Sequence, residues 1–338
     1  MKLLTVVVPC YNSQDYMERC VDSLLIGGDR MEIIIVDDGS KDATGEIADR
    51  YAAAHPGVVR VIHKENGGHG SGVNAGIEHA AGLYFKVVDS DDWVEPEALA
   101  EVLRVLGRYA GEGEQLDLLI TNFMYDKLGA ARRKVMSYEK VYPEGRVFSW
   151  DEASSFSIGQ YMMIHAQIYR TSLLREIELR LPHHTFYVDN LYCFVPLLHV
   201  SRMYYLNADL YHYCIGRADQ SVSEQVMLKR IDQQFRINLM LLDSYRPELI
   251  ESPQLRRYLL HFMNLISLVL VTQLCLVGDE ESMRMRRDYW KYIRRKDVML
   301  YLKMRYSIYG LSANMPGRPG RGITRAGYRL ARRRYGFN

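Results

Sequence analysis

Leu83-Tyr84-Phe85-Lys86-Val87-Val88-Asp89-Ser90-Asp91-Asp92-Trp93 runs a short apolar segment with a β-branched centre straight into three carboxylates. That pattern is a strand delivering acidic groups to the lip of a sheet. Carboxylates held close together repel and raise one another's pKa, so they persist most cheaply around a cation or facing open water. Oxygen donors with room left for substrate phosphates suit Mg²⁺ or Mn²⁺. Taken alone, the same residues read more simply as an acidic turn before a helix that starts near Pro96.

The surrounding chain decides between the two. Upstream, Leu3 to Val8 is a buried strand closed by Pro9-Cys10-Tyr11-Asn12, and Ser13 to Leu25 is an amphipathic helix with Tyr16, Cys20 and Leu24 on one face, capped by Asn12 or Ser13 and ended by Gly27-Gly28. Met31 to Val36 is a second strand, leaving through Asp37-Asp38-Gly39-Ser40-Lys41-Asp42 into a helix with Ala43, Ile47 and Tyr51. Val58 to Ile62 is a third strand, followed by the glycine-rich Asn66 to Gly72 and a helix over Val73 to Ala80. The quoted stretch is the fourth strand, and Pro96 opens a helix carrying Leu99, Val102, Leu103 and Leu106. Strand and helix alternate at short spacing, which predicts an α/β fold with a mainly parallel central sheet flanked by helices. Four polar loops then follow four strands and gather along one sheet edge, where open α/β folds bind ligands.

Beyond this, Asp117 to Phe123 is a further strand, residues 124 to 160 suit an antiparallel excursion over the sheet, and Tyr161 to Tyr169 is apolar enough to be buried. Thr171 to Glu178 is a short helix or turn, Tyr187 onward is a helix bearing Asp189, and Ser201 to Tyr213 supplies a last strand or two. From Ser223 the pattern changes to long helices, Val226 to Met240, Leu255 to Leu276 and Met285 to Tyr309. The expected organisation is one α/β domain over 1–218, in two halves at 1–110 and 111–218, followed by a helical accessory region with a basic tail at 219–338.

The formal charge of +2 conceals a division. From Arg284 onward there are sixteen Lys or Arg against Asp288 and Asp297, so this tail is +14 and the preceding 283 residues are −12. Five widely spaced cysteines with no CxxC read as reduced cytosolic thiols. The apolar amino end stops at Pro9, too soon for a signal peptide. Phe262 to Val277 is interrupted by Asn264, Ser267, Thr272 and Gln273 and reads as a buried helix, not a bilayer span.

Several familiar motifs carry less than they promise. Gly70-Ser71-Gly72-Val73-Asn74-Ala75 matches GxGxxG/A, but it follows the third strand, so its glycines more simply allow a close approach to a ligand or to the sheet. His183-His184 has no third ligand at helical spacing and reads as a loop. No GxSxG elbow and no GxxxxGK[ST] loop occur, which removes the sequence support for an α/β-hydrolase or a P-loop kinase.

Read together, the four loops carry a resemblance. Thr5-Val6-Val7-Val8-Pro9-Cys10-Tyr11-Asn12, Ile35-Val36-Asp37-Asp38-Gly39-Ser40 with Asp42, Asn66-Gly67-Gly68 leading to Asn74-Ala75-Gly76-Ile77, and Asp89-Ser90-Asp91-Asp92-Trp93 closely resemble the family 2 glycosyltransferases of GT-A fold, in order and at family spacing over residues 1 to about 110. The resemblance implies inverting transfer of a sugar from a nucleotide-diphosphate sugar, most often a UDP-sugar, to a hydroxyl, assisted by Mn²⁺ or Mg²⁺. It implies that Pro9, Tyr11 and Asn12 line the nucleoside pocket, that Asp38 contacts the base, and that Gly67, Gly68, Asn74 and Ser90 belong to the nucleotide-sugar site. It makes Asp91 the direct metal ligand, with Asp89 supporting ribose or metal. The family also places a base carboxylate in a later Glu-Asp segment. Tyr187-Val188-Asp189-Asn190 is the best match and makes Asp189 the base, although Val188 stands where Glu is common.

The chemistry asks for the same groups. A diphosphate leaving group gains negative charge that a cation offsets, and the incoming hydroxyl needs a carboxylate to take its proton. A sugar nucleotidyltransferase would want a basic glycine-rich loop in the first segment, where Pro9 to Ser13 has no Lys or Arg. A non-catalytic sugar-nucleotide-binding or assembly protein would not need Asp38, Asp89, Asp91 and Asp189 together.

In the tail, Arg318, Arg321, Arg325, Arg329, Arg332, Arg333 and Arg334 stand with no acid among them, while Trp290, Tyr292, Tyr301, Tyr306 and Tyr309 mix with basic residues upstream. Aromatic and basic residues together suit the edge of an anionic bilayer, and read equally well as a solvated basic helix end that covers the acidic body of a partner subunit. The expected partners are the nucleotide-diphosphate sugar, a saccharide, polymer or lipid-linked acceptor in cell-surface polysaccharide synthesis, and an anionic membrane contacted through residues 284–338. The acidic body argues against nucleic acid. The expected location is the cytoplasm, at the inner face of the cell membrane.

Overall fold

A computed structural model of the chain describes residues 1–111, 113–127, 134–216 and 224–315, with 317, 320, 322, 324, 326 and 328 beyond them. The arginines at 318, 321, 325, 329 and 332–334 lie outside the described residues. The chain forms two compact units, Met1–Ile215 and Gly216–Asn338.

The first unit is built on β1 (Leu4–Cys10) and β2 (Met31–Asp37). Every residue of both strands is buried, as a parallel strand covered on both faces requires. β3 (Val59–His63) and β4 (Tyr84–Val87) flank them in parallel, with Leu4 opposite Met31 on one side and Tyr84 on the other. Helices α1 (Met17–Leu25), α2 (Thr44–Ala54) and α3 (His69–His79) make the crossovers. After β4 the chain forms the two-residue β5 (Trp93–Val94) and then α4 (Pro96–Arg108), which buries Leu99, Val102, Leu103 and Leu106 and opens on Pro96.

The second half of this unit extends the same sheet. β6 (Leu118–Lys127), β7 (Lys134–Met136), β8 (Val147–Phe148), β9 (Gln167–Arg170) and β10 (Met203–Ile215) join it, giving ten strands among the described residues in the order β3-β2-β1-β4-β9-β6-β10-β5. β9 is antiparallel to both neighbours, β6 runs parallel to β10, and β7 and β8 form the antiparallel excursion. Two short helices, α5 (Thr171–Glu176) and α6 (Asp189–Phe194), lie between β9 and β10. Asp117 fixes this half, its carboxylate accepting from the Ser201 and Arg202 backbone N–H groups at 2.9 Å and pairing with Arg170 at 3.0 Å.

The second unit is helical: α7 (Glu224–Lys229), α8 (Ile231–Ser244), α9 (Pro253–Val277), α10 (Glu280–Lys296), α11 (Val298–Arg305) and α12 (Ile308–Ala313). α9 is long and apolar enough by composition to cross a membrane, yet most of its apolar window is buried against α8, α10 and α12, and its polar Asn264, Ser267, Thr272 and Gln273 are buried with it.

Two local expectations fail for physical reasons. α1 starts at Met17 and is capped by neither Asn12 nor Ser13, because the Ser13 hydroxyl bonds Ser90 and the Asn12 side chain accepts from the Lys41 N–H. The single helix expected over Met285 to Tyr309 is three, since Asp297 accepts from the Leu300 N–H and Ser307 from the Gly310 N–H, each starting a new helix.

Candidate functional site

The four strand-end loops meet and are stitched together by their own polar groups. Asn12 adopts φ 51°, a left-handed conformation that Asn tolerates, and its N–H donates to the Ser40 hydroxyl. The Ser13 N–H donates to Thr44 at 2.7 Å, and the Ser13 and Ser90 hydroxyls pair at 2.9 Å, so the first loop is tied to both the second and the fourth. Tyr11 projects from this frame with its ring 48% exposed, whereas Pro9 is buried against α3.

Asp37 and Asp38 divide the second loop's work. Burial pushes the Asp37 carboxyl up, but hydrogen bonds from Ser40 and His63 outweigh it and hold the group below the usual range. Asp38 is buried and accepts from the Lys64 ammonium at 2.6 Å and from the Gly67 and Gly68 N–H groups at 2.9 and 2.7 Å. It thereby sets the shape of the glycine loop. Gly68 lies at φ 81°, where a side chain would be strained and its Cβ would come 3.3 Å from the His184 backbone. The His184 N–H donates to the Gly67 carbonyl at 2.6 Å, so the histidine pair belongs to a loop latched onto the glycine loop by its backbone.

α3 is the hinge between the two halves of the site. The Asn74 side chain accepts from the Leu181 N–H and donates to the Leu181 carbonyl, closing a two-bond clasp to the loop that precedes α6. Gly70 sits against that loop so closely that a Cβ would stand 2.8 Å from the Pro182 carbonyl oxygen. The glycines of the GxGxxG match therefore serve close packing of chain on chain.

The clasp brings Asp189, at the start of α6, into the Coulombic reach of His69 and Asp89. Burial raises the Asp189 carboxyl, Asp89 adds to the rise, and His69 opposes it. His69, in the first turn of α3, holds Asp89 through Nε2 at 2.8 Å. Burial would favour the neutral imidazole, but the charges of Asp89, Asp189 and Asp91 prevail and raise its pKa. For Asp89 itself, burial pushes upward while the charge and hydrogen bond of His69 outweigh it, keeping the carboxylate ionised.

The remaining acids have different surroundings. Asp91 is half-buried at the lip of the loop. Asp92 is buried, accepting from the Tyr211 hydroxyl at 2.5 Å and the Cys214 N–H at 2.7 Å. Burial raises the Asp92 pKa well above the ordinary value, and the charges of Asp91 and Asp89 raise it further. Three carboxyls this close repel one another, a repulsion that a divalent cation offsets.

Donor atoms of Asp89, Asp92 and His165 also lie within 4.8 Å of one another, a spacing that fits a metal ion. His165 is buried in a 3₁₀ turn before β9, its ring tilted against those of Tyr211 and Tyr213 at 4.4 Å from each, with a Nδ1 that has no hydrogen-bond partner. Burial lowers its pKa to about 4, which keeps the ring neutral and fit to donate a lone pair. The donor set at this edge thus fits a divalent cation. Asp89, Asp91 and Asp189 were expected from the sequence; His69, His165 and the strut role of Asp92 were not, because no spacing rule links a lone histidine to an acid far along the chain.

Comparison with known proteins agrees with this geometry. The model of glycosyl transferase family 2 matches residues 5–173. The putative glycosyltransferase EpsH of Bacillus subtilis (strain 168) is 29% identical over 308 residues, covering 85% of this chain and 80% of that protein. The chondroitin synthase of Pasteurella multocida (strain Pm70) is 31% identical over 168 residues, which is 48% of this chain and only 15% of that much longer protein. Among solved structures, S. aureus TarS 1–349 in complex with UDP-GlcNAc aligns over 98% of this chain and 92% of its own with a TM-score of 0.66 and 19% identity, a likeness of fold. From β1 into α5 the chain follows one family pattern, and it belongs to glycosyl transferase family 2 as an inverting enzyme of GT-A fold that moves a sugar from a nucleotide-diphosphate sugar to an acceptor.

Proposed function

We propose that the donor is a UDP-sugar carrying a hexosyl or N-acetylhexosaminyl group, and that the acceptor is a hydroxyl of a saccharide, polymer or lipid-linked glycan in cell-surface polysaccharide synthesis. The observation that carries this reading is that Asp189 lies within charge range of Asp89 and His69. A carboxylate with raised proton affinity on one side and an acidic loop on the other suits single-step displacement at an anomeric carbon.

In this reading the Tyr11 ring and the loop at Pro9 and Asn12 flank the nucleoside. Asp38 contributes to base binding and shapes the loop at Gly67 and Gly68, while Ser90, hydrogen-bonded to Ser13, holds the fourth loop in register. Asn74 positions the acceptor-side loop. Mn²⁺ or Mg²⁺, held by Asp91 and Asp89, would supply positive charge opposite the departing diphosphate. Asp189 takes the proton of the attacking hydroxyl. The likeness to TarS, solved with UDP-GlcNAc, and to a chondroitin synthase supports a UDP-sugar and a polymer acceptor. The enzyme is placed in the cytoplasm, attached peripherally to the inner face of the membrane through its basic carboxyl-terminal region.

The test is a calorimetric screen of nucleotide sugars with and without Mn²⁺. The expected result is one UDP-sugar bound more tightly when Mn²⁺ is present. Binding of a nucleoside triphosphate in preference to every nucleotide sugar would overturn the proposal.

A further inference from the structure

The helical unit holds a second polar concavity that glycosyl transfer does not use. A cleft of about 470 Å³ opens between α10 and α11, and Arg286, Arg287, Trp290, Arg294, Tyr301 and Arg305 dominate its walls. Among the described lining residues none is acidic. Arg287, Lys291 and Arg294 recur at i, i+4 and i+7 and so point to one side of α10. Arg287 and Arg294 have no carboxylate partner among the described residues, and Lys291 has only Asp288 at 3.4 Å. Arg305 lies 5.8 Å from the Trp290 ring, and the indole N–H of Trp290 is buried with no acceptor. Clustered guanidinium groups suit a phosphate.

The neighbouring face of α11 identifies what carries that phosphate. Leu300 and Met304 turn into the core, and Tyr301 and Arg305 turn toward the cleft. One position further round, Val298 and Leu302 form an exposed apolar row, 56% and 41% accessible. Met299, Ile308 and Leu311 add accessible apolar surface in the same two short helices, at 61%, 68% and 50%. A soluble polyanion would have no use for this row. An anionic amphiphile uses both parts, its headgroup in the cleft and its chain along the aliphatic strip.

We propose that α10 to α12 form a lipid-phosphate site, with Arg287, Arg294 and Arg305 holding the headgroup of an anionic phospholipid while Val298, Met299, Leu302, Ile308 and Leu311 enter the acyl boundary of the bilayer. The assignment rests on the peripheral attachment proposed above and gives it a surface and a chemistry. It is independent of sugar transfer.

The test is co-sedimentation of the full chain with neutral phosphatidylcholine vesicles and with vesicles in which roughly a third of the lipid is phosphatidylglycerol, an anionic surface of the kind basic segments recognise. Arg287→Glu with Arg294→Glu forms one variant, and Val298→Asp with Leu302→Asp the other. All four positions are exposed, so both variants are expected to fold, and circular dichroism checks it. The full chain should sediment with anionic vesicles only, and each variant should lose about tenfold in bound fraction. UDP-sugar binding, measured on the same samples, should be unchanged in both. Failure of the unsubstituted chain to sediment overturns the attachment and this site together, while leaving the transferase reading to its own calorimetric test. Sedimentation of either variant as well as the unsubstituted chain overturns the site alone. Loss in the arginine variant with retention in the aspartate variant, accompanied by tight binding of duplex DNA, would assign the cleft to a soluble polyanion and overturn the lipid proposal.

Discussion

Asp189 and Lys86 show opposite uses of burial. Burial raises the Asp189 carboxyl and thereby makes it a stronger proton acceptor once ionised. Asp189→Asn should leave donor binding intact by calorimetry and lower kcat by about 10²- to 10⁴-fold, the usual worth of a general base; unchanged turnover would remove Asp189 from that role. Asp91→Ala should instead weaken Mn²⁺ binding in a direct titration while leaving the melting temperature near that of the parent. Lys86 is buried on β4 with its ammonium on the His165 carbonyl at 2.6 Å, and burial pulls its pKa down to about 7. An unfolded lysine titrates near 10.4, so folding expels a proton below that pH and the group opposes folding more as the pH falls from about 10 toward about 7. Lys86→Met should therefore gain melting temperature relative to the parent at about pH 7 compared with about pH 9. A constant difference across that range would contradict the buried charge. The acids of the site were legible because they sit together in one local loop; His69 and His165 were not, since only the tertiary fold sets them beside Asp89.

At the scale of the element, α3 governs how the acceptor-side loop meets the donor loop. Gly70→Ala would put a methyl group 2.8 Å from the Pro182 carbonyl oxygen, so the loop must shift. A loss of about 1–3 kcal/mol in stability is expected from such overpacking. Because the loop leads directly to Asp189, kcat should fall while the donor Kd changes little; the opposite split would place the glycine's effect on the nucleotide side. The sequence suggested close approach for these glycines but not its partner, because nothing in a local pattern announces residues 181 and 182. Similarly, the helical carboxyl-terminal region was readable as helix, yet its breaks were not. Asp297 and Ser307 look like polar residues on an amphipathic surface until their side chains are seen capping new helices. The expected strand-helix alternation up to α4 matched the observed elements to within a few residues, since fully buried strands and amphipathic helices carry their period in the residues themselves.

For the whole molecule, the sheet is completed by strands that arrive late in the sequence, and Asp117 locks them. Burial raises the Asp117 carboxyl, but the Arg202 and Ser201 N–H groups and Arg170 outweigh it and hold the pKa below the ordinary value. A depressed folded-state pKa contributes stability that is present above the unfolded value of about 3.9 and is lost as pH falls through the folded one. Asp117→Asn should therefore cost about 3 kcal/mol near neutrality, from leaving Arg170 without its buried partner, and progressively less in melting experiments as the pH falls through the depressed folded-state pKa. The acidic loop depends on the same late arrivals. Asp92 is fixed by Tyr211 and Cys214, β5 pairs with Tyr211 and His212, and Asn74 is clasped to Leu181. During synthesis the first four strands emerge well before any of these partners, so a nascent chain stopped near residue 180 would carry all four loops while Asp92, β5 and Asn74 still lacked theirs. Competence for the donor should switch on abruptly, when β10 leaves the ribosome and is added to the sheet, not gradually as the motifs appear.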